Sequence, residues 1–484
     1  MRARRGRRVH PVSLEDVEVT TLRPERFSDV LSSEGLAQFE HAIARGRDLL
    51  DARTFWNVNS TARGGGVAEM LRPLIGYVRG AGLDARWVVI PGDPEFFALT
   101  KRLHNRLHGY AGDGGPLGDA ERAVYERRCA ANAELLAPRI GADDVVLLHD
   151  PQTAGMIPRL REAGAPIIWR AHIGLDVPND LAREAWRFLL PYVTDADAYV
   201  FSRPSFAWDG LDPAKVTVIA PSIDAFSSKN HVMSFSSVTA VLRAAGLAAD
   251  HNHPPKAVFE RLDGTVGSVQ SEAQLVEEQP LALDVPLVVQ VSRWDRLKDP
   301  LGVLAAFSEH VHADAEPHLL LAGPDVKAVS DDPEGAEVFD EVETALAQLP
   351  RRVRRRVHLA LLPIDDTDEN AVVVNAVQRR ADVVVQKSLA EGFGLTVAEA
   401  MWKGRPVVAS RIGGIQDKIE DGHTGFLVEP EDLRAFGERV SGLLDDPFGA
   451  ERIGMAAQVR VRDLFLGPRH LGQYVDLLAG VLER

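Results

Sequence analysis

The 484 residues contain a single cysteine, Cys129. That excludes an internal disulfide framework and a cysteine metal cluster, and it fits a reducing compartment. No apolar run approaches the ~18 residues that a membrane span needs. The opening Met1-Arg-Ala-Arg-Arg-Gly-Arg-Arg8 is basic, yet no apolar h-region follows. It reads as a frayed tail, not a signal peptide. Positive charge is in deficit: 55 Lys and Arg stand against 70 Asp and Glu, a net charge of −15. This argues against nucleic acid or an anionic membrane as partner, while a local basic pocket can still bind phosphate. No repeat of about 20–50 residues occurs. No acidic or histidine cluster has metal-ligand spacing, and no lysine sits in a pyridoxal-phosphate setting. The expectation is a cytoplasmic protein that binds small molecules, needs no metal, or is at most stimulated by Mg, and leaves homo-oligomerisation open.

What is present is the composition of a globular chain: 45% apolar and 26% charged residues. The length exceeds one ordinary core, so two domains are expected. Short β-branched runs alternate with helical patterns. Expected strands are Phe55–Asn59, Arg86–Ile90, Val145–His149, Ile167–Ala171, Ala198–Ser202 and Val216–Ala220. A second series is Leu287–Val291, His318–Ala322, Arg356–Leu361, Asp382–Gln386, Pro406–Ala409 and Gly425–Val428. Their near-continuous apolar character suits strands buried on both faces of parallel sheets. The fold class is α/β, with two Rossmann-like doubly wound domains. The expected domains are 1–224 and 286–464. Residues 225–285 form a linker or insertion, with a helix near Ser236–Ala245 and a surface insertion or mobile loop around 250–280. An amphipathic helix closes the chain within 465–484.

The most informative run is Lys387-Ser-Leu-Ala-Glu-Gly-Phe-Gly-Leu-Thr-Val-Ala-Glu-Ala-Met-Trp-Lys-Gly-Arg-Pro-Val-Val-Ala409. Glu391 and Glu399 bracket a turn, Gly392-Phe393-Gly394, that opens into a helix at Leu395. Free N–H groups at a helix start bind phosphate or an oxyanion. Carboxylates would repel phosphate, so they suit the hydroxyls of a sugar and a ribose. A sugar nucleotide satisfies both.

Three further segments carry candidate chemistry. Gln290-Val-Ser-Arg-Trp-Asp-Arg-Leu-Lys-Asp299 places the cations Arg293 and Lys298 in a loop after a strand, although a solvated basic loop would look the same. Asn57-Val-Asn-Ser-Thr-Ala-Arg-Gly-Gly-Gly-Val-Ala-Glu69 is a strand, a glycine loop and a helix start. Gly64, Gly65 and Gly66 allow close approach to a ligand, although a plain βα turn would look the same. His149-Asp-Pro-Gln152 and Trp169-Arg-Ala-His172 end strands, where α/β proteins bind ligands. Gly413-Gly-Ile-Gln-Asp417 would shape a pocket, and Asp421-Gly-His-Thr-Gly-Phe-Leu427 reads as a turn before a strand. Asp365-Asp-Thr-Asp368 reads as solvated surface.

Together, Glu391-x7-Glu399, the Arg293–Lys298 loop and the Gly64–Gly66 loop resemble retaining glycosyltransferases of the two-Rossmann GT-B architecture. Asn57-Val-Asn-Ser-Thr61, Ala85-Arg-Trp-Val-Val-Ile90, Glu95-Phe-Phe97, Lys101–Leu107, His149–Gln152, Pro221-Ser-Ile-Asp224 and Glu391–Trp402 are similar to the glycosyltransferring trehalose synthases, relatives of the trehalose phosphorylases. The resemblance implies NDP-glucose plus glucose giving α,α-trehalose, with an interdomain cleft and a last helix that crosses back to the first domain. It implies donor binding by Gly64, Gly65, Gly66, Arg293, Lys298, Glu391, Gly392, Phe393, Gly394, Leu395 and Glu399. Asn59, His149, Asp150 and Gln152 would hold the acceptor. His172, Arg293, Lys298 and Glu391 would be catalytic. Trehalose phosphorylase and a sugar-nucleotide epimerase on the same scaffold remain alternatives, and the nucleotide is undetermined. Relatives often carry glycine where Asp299 stands.

Overall fold

The computed structural model describes residues 13–62, 65–248, 256–261, 263–312, 314–326 and 333–483. Contacts divide the chain into two units. One comprises residues 1–26, 37–220 and 471–484, and the other residues 27–36 and 221–470.

The first unit contains strands β1 (Glu15–Asp16), β2 (Thr54–Asn59), β3 (Asp84–Val89), β4 (Val145–His149), β5 (Ile167–Ala171), β6 (Ala198–Phe201) and β7 (Val216–Val218). Their order is β1-β3-β2-β4-β5-β6-β7. All neighbours run parallel except the short edge strand β1. The chain moves one way from β2 to β3, then restarts at β4 and moves the other way. The switch point therefore lies between β2 and β4.

Alternation along these strands sends Trp56, Val58, Val146, Leu148, Ile167 and Trp169 into one core with helices Pro94–Leu107, Asp119–Leu136 and Asp180–Val193. Phe55, Val145, Leu147 and Ile168 face the opposite core, shared with Tyr474, Leu477 and Leu478 of the last helix, Gly467–Leu482. Local chemistry sets the helix starts. Asp93 accepts from the Phe96 amide at 2.9 Å with Pro94 in the first turn, and Asn179 accepts from the Ala182 amide at 3.0 Å. Cys129 is wholly buried beside Tyr125. Burial pushes its thiol up to about 12, which leaves it inert.

The second unit contains a hairpin, β8 (Val258–Glu260) and β9 (Val266–Ser268), and a sheet. The sheet strands are β10 (Gln274–Val276), β11 (Leu287–Val291), β12 (His318–Pro324), β13 (Val357–Leu362), β14 (Val383–Gln386), β15 (Val407–Ser410) and β16 (Phe426–Val428). Their order is β10-β13-β12-β11-β14-β15-β16, parallel apart from β10. Progress reverses between β11 and β14, the second switch point. Ligands bind outside the carboxyl ends of strands at such points.

The expected surface insertion has structure of its own, and one expectation is corrected. Within the insertion β8 and β9 pair, and β10 extends the sheet. Amides of Gln270 and Ser271 donate to Glu369 Oε1 at 2.8 and 2.7 Å, which anchors the segment. Residues 249–255 of the expected loop lie outside the described residues. Asp366 and Asp368 are not merely solvated. Asp366 caps helix Thr367–Arg380 and pairs with Arg261, and Asp368 accepts from Ser228 Oγ at 2.9 Å.

Candidate active site

In the second unit, the loops after β11 and β14 lie side by side because those strands are neighbours. Lys298 Nζ sits 2.5 Å from Glu391 Oε2, with both side chains mostly buried at 17% and 13% exposure. Arg293 is 60% exposed and contacts Asp295 Oδ2 at 2.5 Å, while Asp295 Oδ1 accepts from the Leu297 amide at 2.8 Å. Gln290 joins the loops from within: its Nε2 donates to the Lys298 carbonyl at 3.1 Å. The Leu389 amide adds a bond to the Leu297 carbonyl at 2.7 Å.

Asp299 explains its own departure from glycine. Its φ is +49° and its ψ 53°, the left-handed region where glycine is usual. Aspartate tolerates that region, and here its side chain is fully used. Oδ1 caps the following helix at the Gly302 amide, 2.9 Å away, and Oδ2 pairs with the buried Lys387.

The turn Gly392-Phe393-Gly394 leads into helix Leu395–Trp402, with Gly394 left-handed at φ +75°. Gly413 and Gly414 support it from behind. A Cβ on Gly413 would fall 1.8 Å from the Glu391 carbonyl oxygen, so only glycine lets the two backbones meet. The Gly414 amide donates to Gly392 O at 3.1 Å. Buried Lys418 donates to the carbonyls of Phe393 and Gly414 and stands 3.0 Å from the Phe393 ring centre. Glu399 lies on this helix at 1% exposure, with Lys229 Nζ 3.4 Å from its Oε1. Four cation–carboxylate pairs stand here: Lys229 with Glu399, Arg293 with Asp295, Lys298 with Glu391 and Lys387 with Asp299.

In the first unit, the carboxyl ends of β2, β4 and β5 gather Asn57, His149, Asp150 and His172. His149 Nδ1 is 2.9 Å from His172 Nε2, and the rings are 18° from coplanar. His149 Nε2 is 3.5 Å from Asn57 Oδ1. Asp150 has φ +64°, and its Oδ1 accepts from the His172 amide at 2.8 Å. Burial pulls His149 down to about 3, with the Arg170 charge adding to it. Burial raises Asp150 to about 7, against the His172 amide bond and Arg170.

Asn59 is also at the end of β2, but its side chain is engaged elsewhere. Trp87 Nε1 donates to its Oδ1 at 2.9 Å, and its Nδ2 donates to the Thr61 carbonyl at 2.8 Å. Gln152 is half-buried in the short helix Asp150–Ala154. Gly65 and Gly66 form the first turn of helix Gly65–Gly80; Gly64 lies outside the described residues. Sequence reasoning missed Asn57, Lys229 and Lys387. Asn57 shares strand parity with Asn59 and was within reach of that reasoning. The two lysines carry no local spacing signal.

Comparison with known proteins decides the family. The family described as "Trehalose synthase, N-terminal domain" matches residues 57–208, and "Glycosyl transferases group 1" matches residues 285–446. Trehalose synthase from Pyrococcus horikoshii is 35% identical over 454 residues, covering 94% of this chain and 95% of that protein. The chain belongs to the trehalose synthase family. It is a group 1 glycosyltransferase with the GT-B fold, and its chemistry is trehalose-related glycosyl transfer. Trehalose phosphorylase from Pleurotus pulmonarius is a more distant relative, 26% identical over 84% of this chain and 54% of its own length. Among solved structures, a UDP-forming α,α-trehalose-phosphate synthase from Burkholderia xenovorans, in complex with glucose-6-phosphate, superposes with a TM-score of 0.63 at 18% identity. That match covers 89% of this chain and 100% of that one. It extends the GT-B fold to both units. No described helix is long and apolar enough to cross a membrane.

Proposed function

We propose that this protein makes α,α-trehalose from an NDP-glucose and glucose, with retention at the donor carbon. The observation that carries the reading is the Lys298–Glu391 pair at the β11/β14 switch point, in a chain 35% identical to a trehalose synthase over nearly its full length. Lysine suits a diphosphate, and the adjoining carboxylate suits sugar hydroxyls.

In this reading the second unit supplies the donor groups. Arg293 and Lys298 stabilise negative charge on the departing phosphate oxygen. Glu391 orients glucose hydroxyls, and Glu399 holds the ribose diol. A diphosphate arriving at Lys298 competes with Glu391 for the ammonium, which releases the carboxylate to the sugar. The first unit supplies acceptor groups from Asp150 and Gln152, and His172 supports the transferred sugar. The acceptor hydroxyl attacks the donor carbon as the bond to phosphate breaks. Its proton passes to the departing phosphate oxygen on the same face, so no protein nucleophile is required. Position and electrostatics supply the rate.

Incubation with glucose and each of ADP-, UDP- and GDP-glucose tests the proposal. The expected product is a 1,1-linked disaccharide with both anomeric centres α by NMR, formed in EDTA as well as in Mg²⁺. A 1,4-linked product, or preference for glucose-6-phosphate as acceptor, overturns the substrate assignment. Loss of activity in EDTA overturns metal independence. Faster cleavage of trehalose by inorganic phosphate than by NDP would favour the phosphorylase reading.

A further inference from the structure

Within the trehalose-forming reading above, His149 stands apart from the other first-unit residues. It is 1% exposed, and both ring nitrogens have side-chain neighbours: Asn57 Oδ1 at 3.5 Å from Nε2, and His172 Nε2 at 2.9 Å from Nδ1. A ring held this way has no surface to offer a sugar. We infer that His149 is a positioning residue, which fixes the ring and tautomer of His172, and that Asn57 is the anchor of this relay.

The proton placement follows from the anchor. With Asn57 turned so that its Oδ1 faces the ring, as here, the amide oxygen only accepts, so His149 carries its proton on Nε2 and donates it to Asn57. That leaves a lone pair on His149 Nδ1, and the facing His172 Nε2 must carry the proton between them. The nearly coplanar rings, 18° apart, suit an N–H···N bond in the ring plane. His172 is thereby held as the Nε2–H tautomer, and any proton it gains goes to Nδ1. The charged groups around the pair reinforce this. Arg170 is the cross-strand partner of His149 and discourages a second positive charge there. Asp150 holds the other end through the His172 amide, at 2.8 Å. The relay crosses β2, β4 and β5, so the orientation of His172 depends on three adjacent strands.

Two measurements test the inference. Nitrogen-15 NMR of histidine-labelled protein should find both His149 and His172 neutral and protonated on Nε2 near pH 7. This readout does not depend on which sugars react. A His172 protonated on Nδ1, or a doubly protonated His149, overturns the relay whatever the product proves to be. Kinetics give the second arm. His149→Leu should lower kcat by roughly 10- to 100-fold, the range for a residue that orients a functional group. KM for glucose should stay within about twofold, as expected when no ground-state contact is lost. His149→Asn keeps an acceptor atom near the Nδ1 position and should recover most of kcat. A raised KM for glucose with unchanged kcat in both variants would make His149 a sugar contact and defeat the proposal. Loss of trehalose formation by the wild type, with the tautomers as stated, would instead defeat the substrate reading alone.

Discussion

Lys298 and Glu391 are 93 positions apart in sequence, yet their charged atoms stand 2.5 Å apart at the meeting of two strand-end loops. If the pair divides a nucleotide sugar between phosphate and hexose, each half should fail differently. Lys298→Met removes the phosphate partner and takes the neighbouring cation from a mostly buried carboxylate. Turnover should fall by roughly 10²–10³-fold, with a lower melting temperature. Glu391→Gln keeps shape and should damage turnover more than melting. A folded Lys298→Met protein with near-normal kcat would end this assignment.

Arg293 offers a cleaner separation of chemistry from folding. Its side chain is 60% exposed, so Arg293→Ala should change stability by no more than about 0.5 kcal/mol. Turnover should nevertheless drop by roughly 10²–10³-fold. Unaltered kcat would remove the guanidinium from the leaving-group role.

Glu399 is assigned to the ribose. Glu399→Gln exchanges a charged acceptor for a neutral one and should weaken binding of free NDP by about 1.5–3 kcal/mol. Titration calorimetry measures this directly. Unchanged affinity would return Glu399 to a purely structural pairing with Lys229, 3.4 Å away.

His149 and Asp150 should leave opposite marks on stability. His149 is lowered to about 3. An unfolded imidazole titrates near ~6.5, so in between only the unfolded chain binds that proton, and stability falls as pH falls. Asp150 is raised to about 7. An unfolded aspartate titrates near ~3.9, so here the native state holds the extra proton, and stability grows as pH falls. The two trends oppose each other between about pH 4 and 6.5. His149→Asn removes the first alone. Relative to wild type, the variant should gain up to about 1.4 kcal/mol for each unit of acidification in that window. Thermal unfolding of both proteins at several pH values reads the difference. A flat difference would mean that His149 is not held neutral.

Much of the fold was legible because buried parallel strands are short, β-branched and bounded by polar residues. Leu287–Val291 and Val145–His149 matched to the residue. β10 escaped because Gln274-Leu-Val276 is three residues within an acidic stretch, with no pattern of its own. Only pairing with β13 makes it a strand. In the candidate site, Glu391 and Glu399 were legible because one turn and one helix carry both. Lys229 reaches Glu399 from far along the chain, so no local spacing announces it. Asn57 and Asn59 could not be told apart for a related reason. Strand parity assigns a face, whereas depth along the strand decided which amide met His149 and which met Trp87.

The last helix has a consequence for how the protein is made. Tyr474 accepts a hydrogen bond from the wholly buried Arg170, while Leu477 and Leu478 cover Phe55, Leu147 and Ile168. One face of the first sheet is thus completed by residues translated after the entire second unit. During synthesis that face has Leu49, Leu50 and Leu83 beside it but lacks the last helix from residue 220 until Leu478 has left the ribosome. The nascent first unit is thus the part that a chaperone would need to shield.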